Sequence, residues 1–300
     1  MPRKDPDASK SSFFLDKLLD AAVDIKQNPE AAERVYMARH LVQCTLPHSD
    51  PGNVNIWRRR NGNVTLSIRP HIGKDDKALY PYGSIPRLLL FWMVTEATRT
   101  KSRRITLGDS LPDFMREIGL NPRNGSGERS DVARLKEQMT RLFTAQINVE
   151  QAEEAHEMNV YMPVTSKTEF WWAFKTSADR SLWDSWIELG EDFFKMVTAS
   201  PVPVDMRALR ALKRSPLALD LYAWLTYTVF AANKNKANRI VPWKGLHDQM
   251  GGEYARTRDF RSKTLEAIKK IKLVYPALVI ESTDEYLIVH PAKTAIESKE

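Results

Sequence analysis

One order of residue patterns occurs twice along this chain, and that repetition limits the folds open to it more than any other feature. In the first pass, Ser84-Ile85-Pro86-Arg87 opens a long apolar run through Leu88, Leu89, Leu90, Phe91, Trp92 and Met93. The extended segment Arg104-Ile105-Thr106-Leu107 follows, then a short helix over 111–118, a breaker-rich loop over 119–127 and an amphipathic helix over 130–143. In the second pass, Arg214-Ser215-Pro216 opens an apolar run from Leu217 to Leu225. After it come Arg239-Ile240-Val241-Pro242, a helix over 244–250, the pair Gly251-Gly252 and a basic amphipathic helix over 256–275. Each pass ends in strand-like segments. Helix, strand, helix, turn, helix and hairpin is the element order of a winged helix, whose last helix commonly enters the major groove of DNA. The fold class expected is α+β, with two tandem winged-helix domains and an N-terminal helical extension.

Charge separates the two passes. The 300 residues carry a net charge of +7, and 42% are hydrophobic, enough to build packed cores. Between Pro201 and Tyr275 there are 15 Lys+Arg against 6 Asp+Glu, a surplus of nine positive charges, so the rest of the chain is at −2. The positive field belongs to the second pass, where a polyanion partner would need it. The expected domains are an N-terminal tail with helices over 1–50, a first winged helix over 51–200 serving dimerisation and DNA-backbone contact, a second over 201–292 as the main DNA-binding domain, and a tail over 293–300. The stiff segment Ser200-Pro201-Val202-Pro203-Val204 lies at the junction, placed between about 189 and 204.

Outside the repeated pattern the expectations are simple. Residues 1–11 read as disordered, 13–26 as a helix, and 29–44 as a second helix opened by Pro29. Two strands over 53–57 and 63–72 flank Asn61-Gly62, with Arg58, Arg59 and Arg60 at the hairpin tip. Residues 151–158 read as an acidic, polar connection, 168–174 as a strand, and 292–300 as a polar tail. Trp171, Trp172 and Trp183 read as core or sheet-packing residues. The single cysteine, Cys44, sits in an apolar stretch and reads as a core thiol; one cysteine builds neither a disulfide nor a Cys-rich zinc site.

The basic helices supply the candidate site residues. On the helix over 256–275, Phe260, Thr264, Ala267, Ile268 and Ile271 form the inward stripe, and Arg258, Arg261, Ser262, Glu266 and Lys269 the outward face, with Lys272 at its edge. A guanidinium fork pairs with two acceptors of guanine, so Arg258 and Arg261, with Ser262, are assigned to bases. Lys269, Lys270 and Lys272 are assigned to phosphates, which position the protein without reading sequence. Arg256 and Lys244 are further DNA contacts in this reading. In the first pass the corresponding candidates are Arg129, Arg134 and Arg141, the last two balanced by Glu137.

Several segments together resemble plasmid replication initiators of the RepA type. They are Tyr80-Pro81-Tyr82-Gly83-Ser84-Ile85-Pro86-Arg87-Leu88-Leu89-Leu90, Gly108-Asp109-Ser110-Leu111, Phe114-Met115-Arg116-Glu117-Ile118-Gly119-Leu120, Gly125-Ser126-Gly127, and the run from Arg214 to Leu225. The resemblance spans about 34–290. It implies a tandem winged-helix protein that binds repeated sites, iterons, at a plasmid origin, promotes opening of adjacent A·T-rich DNA and recruits the host initiator and replicative helicase. It also implies a possible homodimer through the first domain that represses its own gene.

Other functions leave less trace. The six histidines, His40, His48, His71, His156, His247 and His290, are scattered and form no metal-binding pair of the kind a DNA-cutting initiator uses. Gly73-Lys74 lacks the other residues of a phosphate-binding loop. The chain is therefore expected to be no enzyme and to use no metal or cofactor. A winged-helix repressor acting as a dimer on a palindromic operator is the rival reading, since fold and charge would serve it equally. No run approaches the ~18 apolar residues of a spanning helix, and residues 1–12 lack a signal-peptide core. No membrane partner is expected, and the location expected is the cytoplasm, at the plasmid or nucleoid.

Overall fold

A computed structural model describes residues 6–122, 127, 130–153, 156–170, 185–251 and 253–296, of which 6–14 and 151–160 are described by backbone alone. Two helices form its centre. Helix α3 (Ser84–Thr100) and helix α8 (Pro216–Asn235) bury side chains around most of their circumference, as core helices do. Ser215 caps α8 by accepting from the Ala218 amide, with Pro216 at the first helical position, and Lys236 ends it in the left-handed conformation. Both boundaries follow from local chemistry.

Around α8 the second pass folds as one unit. Strand β12 (Arg239–Pro242), helix α9 (Trp243–Met250), helix α10 (Thr257–Val274), strand β13 (Ile280–Ser282) and strand β14 (Tyr286–Val289) follow in order. The three strands form an antiparallel sheet in the order β12-β14-β13. Leu287 and Val289 of β14 face the core. Residues 292–296, read as part of a polar tail, are docked: Asn233 exchanges two hydrogen bonds with the Ala292 backbone, Tyr275 donates to the Lys293 carbonyl at 2.8 Å, and Ile296 is buried.

The first pass repeats the order of elements but not their pairing. Helix α4 (Leu111–Glu117) is capped by Ser110, and helix α5 (Asp131–Phe143) by Ser130. Strand β6 (Arg104–Thr106) pairs with β10 (Trp186–Leu189), which also pairs with β9 (Thr165–Glu169). The hairpin β7 (Gln146–Glu153) and β8 (His156–Pro163) instead joins β2 (Trp57–Asn61) and β3 (Val64–Arg69) in the order β2-β3-β7-β8. Cross-strand pairs Ile68–Ile147 and Leu66–Val149 explain that choice, since both bury apolar side chains on one face. The hairpin backbone also carries strand structure through 151–153 and 156–158, in the segment read as acidic and polar.

Several other segments differ from expectation. Residues 29–44 are not one helix: a short turn over Pro29–Ala31 leads into strand β1 (Arg34–Ala38) and the short helix α2 (Arg39–Gln43). β1 pairs antiparallel with β11 (Pro201–Asp205), so the segment read as stiff and extended is a paired strand. The arginines of 58–60 lie within β2, not at the hairpin tip, because the strand starts at Trp57 and the chain turns at Gly62, whose φ is +59°. Helix α1 (Pro6–Gln27) begins inside the segment expected to be disordered. Strand β9 replaces the strand expected over 168–174, whose last residues, with Trp171, Trp172 and Trp183, fall outside the described residues. Cys44 is buried, and burial pushes its thiol up to about 11.

Buried charges join the two halves. Arg87 on α3 donates to Asp220 on α8 through Nε and Nη2, each at 2.8 Å, and to the carbonyls of Leu46, Pro47 and Gly83. His48 Nε2 meets the same carboxylate at 2.8 Å. Burial alone would raise the Asp220 pKa, but the Arg87 charge and the hydrogen bonds from His48 and Arg87 outweigh it and hold the carboxyl at about 2. Nearby, Arg59 of β2 donates to Thr45, to the Met250 carbonyl and to both oxygens of Glu253. Glu253 lies in the turn that leads into α10, so a strand of the first half grips the entry to that helix.

Candidate nucleic-acid interface

Helix α10 separates two chemistries by its 3.6-residue turn. Phe260, Thr264, Ala267, Ile268, Ile271 and Val274 are buried against the unit's core. Arg258, Ser262, Lys269 and Lys272 fall on one exposed row at i, i+4, i+11 and i+14. Lys263, Glu266 and Lys270 are exposed beside them. Lys263 pairs with Glu266 at 3.1 Å, and Arg256, at the N-cap, pairs with Asp259 at 2.7 Å. Arg258 has no carboxylate within ion-pair distance among the described residues.

The turn before α10 is tightly built. A Cβ on Gly251 would sit 2.4 Å from His247 Cδ2 and 2.5 Å from Phe260 Cδ2, so only glycine fits there. The His247 ring stacks on Phe260, and its two nitrogens meet Thr257 Oγ1 at 3.1 Å and the Tyr254 carbonyl at 2.9 Å. These contacts fix the angle at which α10 leaves α9. Gly252, the other half of the expected turn, lies outside the described residues.

Arg261 behaves differently from its neighbours on the expected base-reading face. Its Nη1 donates to Asp284 in the β13–β14 turn at 3.0 Å, and its guanidinium lies 5.7 Å from the Trp243 ring centre. Its side chain turns towards the hairpin. Trp243 supports the same turn by donating Nε1–H to the Thr283 carbonyl at 3.0 Å. Arg261 and Trp243 thus fasten the hairpin to α9 and α10.

The remaining candidates divide by place. Lys244 is exposed in the first turn of α9. Arg134 is exposed on α5, with Asp131 at 3.5 Å. Arg141, expected on the same outward face, is buried: it donates to Glu137, to the Tyr80 carbonyl at 3.1 Å and to Asp50 at 3.4 Å, and lies over the Tyr82 ring. Ser130 is buried as the helix cap. Helical spacing alone could not show that residues 50 and 80–82 pack over this side of α5. Arg129 lies outside the described residues. The structure adds Arg239 on β12 and Lys263 on α10 to the exposed basic side chains of the second unit. Arg239 opens a segment already read as extended and Lys263 follows Ser262, so the local charge count was the signal for both. Among the described residues no His, Cys, Asp and Glu side chains group in threes as a metal site, and no helix is long and apolar enough to cross a membrane.

The family model for plasmid-encoded RepA protein matches residues 80–244, more than half of the chain. The chain belongs to the RepA family of plasmid-encoded proteins. The RepA match runs from the residue before α3's entry loop to the first turn of α9, and it contains Arg87 and Asp220. Helix α10 lies beyond it. The RepA assignment therefore rests on the central helices and the first unit, and the basic helix is an independent observation. No curated protein and no solved structure is similar enough to the chain to extend the comparison.

Proposed function

We propose that this RepA-type chain is a plasmid replication initiator that binds iteron repeats at the origin as a tandem winged-helix protein. The observation that carries the proposal is the exposed row Arg258, Ser262, Lys269 and Lys272 on α10, backed by the core and flanked by a hairpin fastened through Arg261 and Trp243. A helix presented in this way fits the major groove, and its first two turns are the part that reaches base edges. Arg258 and Ser262 then contact bases, while Lys269, Lys270 and Lys272 lie further along and meet phosphates. Arg256, Lys244 and Arg134 add backbone contacts at the edges. The role is one of binding rather than catalysis. Strand opening in A·T-rich DNA, recruitment of the host initiator and helicase, and repression by a homodimer follow from the initiator reading.

The test is binding to a fragment carrying direct repeats from the DNA flanking the gene, against scrambled DNA at matched salt. The initiator reading expects a ladder of complexes, one per repeat. Binding confined to an inverted repeat would favour a repressor that acts as a dimer.

A further inference from the structure

The three consecutive arginines of β2 are divided by the pleat of the strand, since successive side chains leave opposite faces. Arg59 turns inward, is 4% exposed and is fully engaged by Thr45, Met250 and Glu253. Arg58 and Arg60 turn outward and are exposed. Arg60 Nε donates to the Gly62 carbonyl at 2.9 Å; neither guanidinium has a carboxylate within ion-pair distance among the described residues. Two like charges on one face of a strand create a local positive field that attracts an anion.

β2 lies where a second element faces it. It is the edge strand of the sheet β2-β3-β7-β8. Beside it opens a cleft of about 760 Å³ whose opposite wall is Val241, Pro242 and Gly245, from the end of β12 and the start of α9. The acidic groups in the cleft are Glu253, neutralised by Arg59, and Asp248. Arg58 and Arg60 exceed Asp248 by one charge, so the cleft favours an anion. It adjoins α9 and the turn into α10, the helix assigned above to the major groove.

We infer that this cleft carries the phosphodiester backbone of the duplex bound by α10, with Arg58 and Arg60 as its phosphate contacts. The inference rests on the DNA-binding reading and extends the footprint onto a strand of the first unit. Side chains two residues apart on a strand leave it about 6.6 Å apart, so the two guanidinium groups meet separate phosphates. Each fork can take two phosphate oxygens in one fixed planar geometry, which a lysine ammonium lacks. Arg59 couples the same strand to Glu253, which keeps β2 in register with α10 when DNA is bound.

The experiment is the salt dependence of binding of the full chain to a short random-sequence duplex. Wild type is compared with Arg58→Gln/Arg60→Gln, with Asp248→Asn and with Lys269→Gln/Lys272→Gln. Each lost phosphate contact makes the slope of log K against log salt shallower by about 0.9, so the arginine pair should lower it by about 1.8. Asp248→Asn should bind more tightly than wild type at every salt concentration, an effect in the opposite direction that unfolding cannot produce. An arginine variant with the wild-type slope, beside a lysine variant with a shallower one, would overturn the inference and leave DNA binding by α10 standing. A wild-type chain that binds no duplex would overturn both.

Discussion

The Arg87 guanidinium and the Asp220 carboxylate meet through two parallel hydrogen bonds of 2.8 Å, one helix from each half of the chain contributing one partner. Both side chains are buried. Removing Arg87 leaves an anion without its main partner in the interior, and breaking such a pair costs about 3–5 kcal/mol. Arg87→Met should therefore lower the free energy of unfolding in urea by that amount. Adding Asp220→Asn should recover part of the loss, since it removes the stranded charge.

The same carboxylate predicts a pH window. Its folded-state pKa, about 2, lies below the ordinary 3.8, so folding is favoured while Asp220 is ionised. That contribution, about 2 kcal/mol, is present above pH 4 and is lost as pH falls towards 2. The stability difference between wild type and Asp220→Asn should shrink across this range in acid titrations followed by circular dichroism. A difference constant down to pH 2 would place the ionised group elsewhere.

Arg261 should act through the hairpin. Its guanidinium is held by Asp284 and lies over Trp243. Arg261→Ala should weaken specific and random duplexes alike and raise amide exchange in residues 283–286. A selective loss on the specific site would show that Arg261 leaves Asp284 to read a base.

Gly251→Ala should destabilise the second unit. The added methyl would lie within 2.5 Å of Phe260 and closer still to His247, and overpacking of this kind costs about 1–3 kcal/mol. Thermal unfolding should report it as a drop of roughly 2–4 °C per kcal/mol for a chain of this size. An unchanged midpoint would mean that α9 and α10 can separate freely.

Arg141→Ala should behave as a core mutation. Its contacts to Glu137, the Tyr80 carbonyl and Asp50 tie α5 to the entry of α3. Stability should fall by about 1–3 kcal/mol, the cost of leaving the buried Tyr80 carbonyl without its donor, since Glu137 and Asp50 remain open to solvent. The salt slope of DNA binding should not change, whereas Arg134→Ala should leave stability within about 0.5 kcal/mol, as exposed substitutions do.

What the sequence made legible was local. Ser110, Ser130, Ser215 and Pro216 mark helix starts, and the stripe from Phe260 to Ile271 marks the buried side of α10. Pairing between distant segments was not legible. Pro29 suits a helix start, but Arg34–Ala38 becomes a strand because Pro201–Asp205 lies beside it, and the i, i+2 spacing of Val35 and Met37 fits that pairing. β6 pairs with β10 rather than with the nearer β7–β8 hairpin, because β3 offers Leu66 and Ile68 to that hairpin. The same limit applies to the site. Helical spacing places Arg258 and Lys269 outward, but only tertiary contacts show Arg141 covered, Arg261 committed to Asp284 and Arg59 committed to Glu253.

The central claim is that the exposed row of α10 reads DNA. Its most direct measurement is the affinity of wild type and Arg258→Ala for a direct-repeat fragment and for a scrambled duplex, at the same salt. Loss of a bidentate base contact should cost about 1–3 kcal/mol on the repeat and much less on the scrambled duplex. Equal affinities of the two proteins for the repeat would contradict the account.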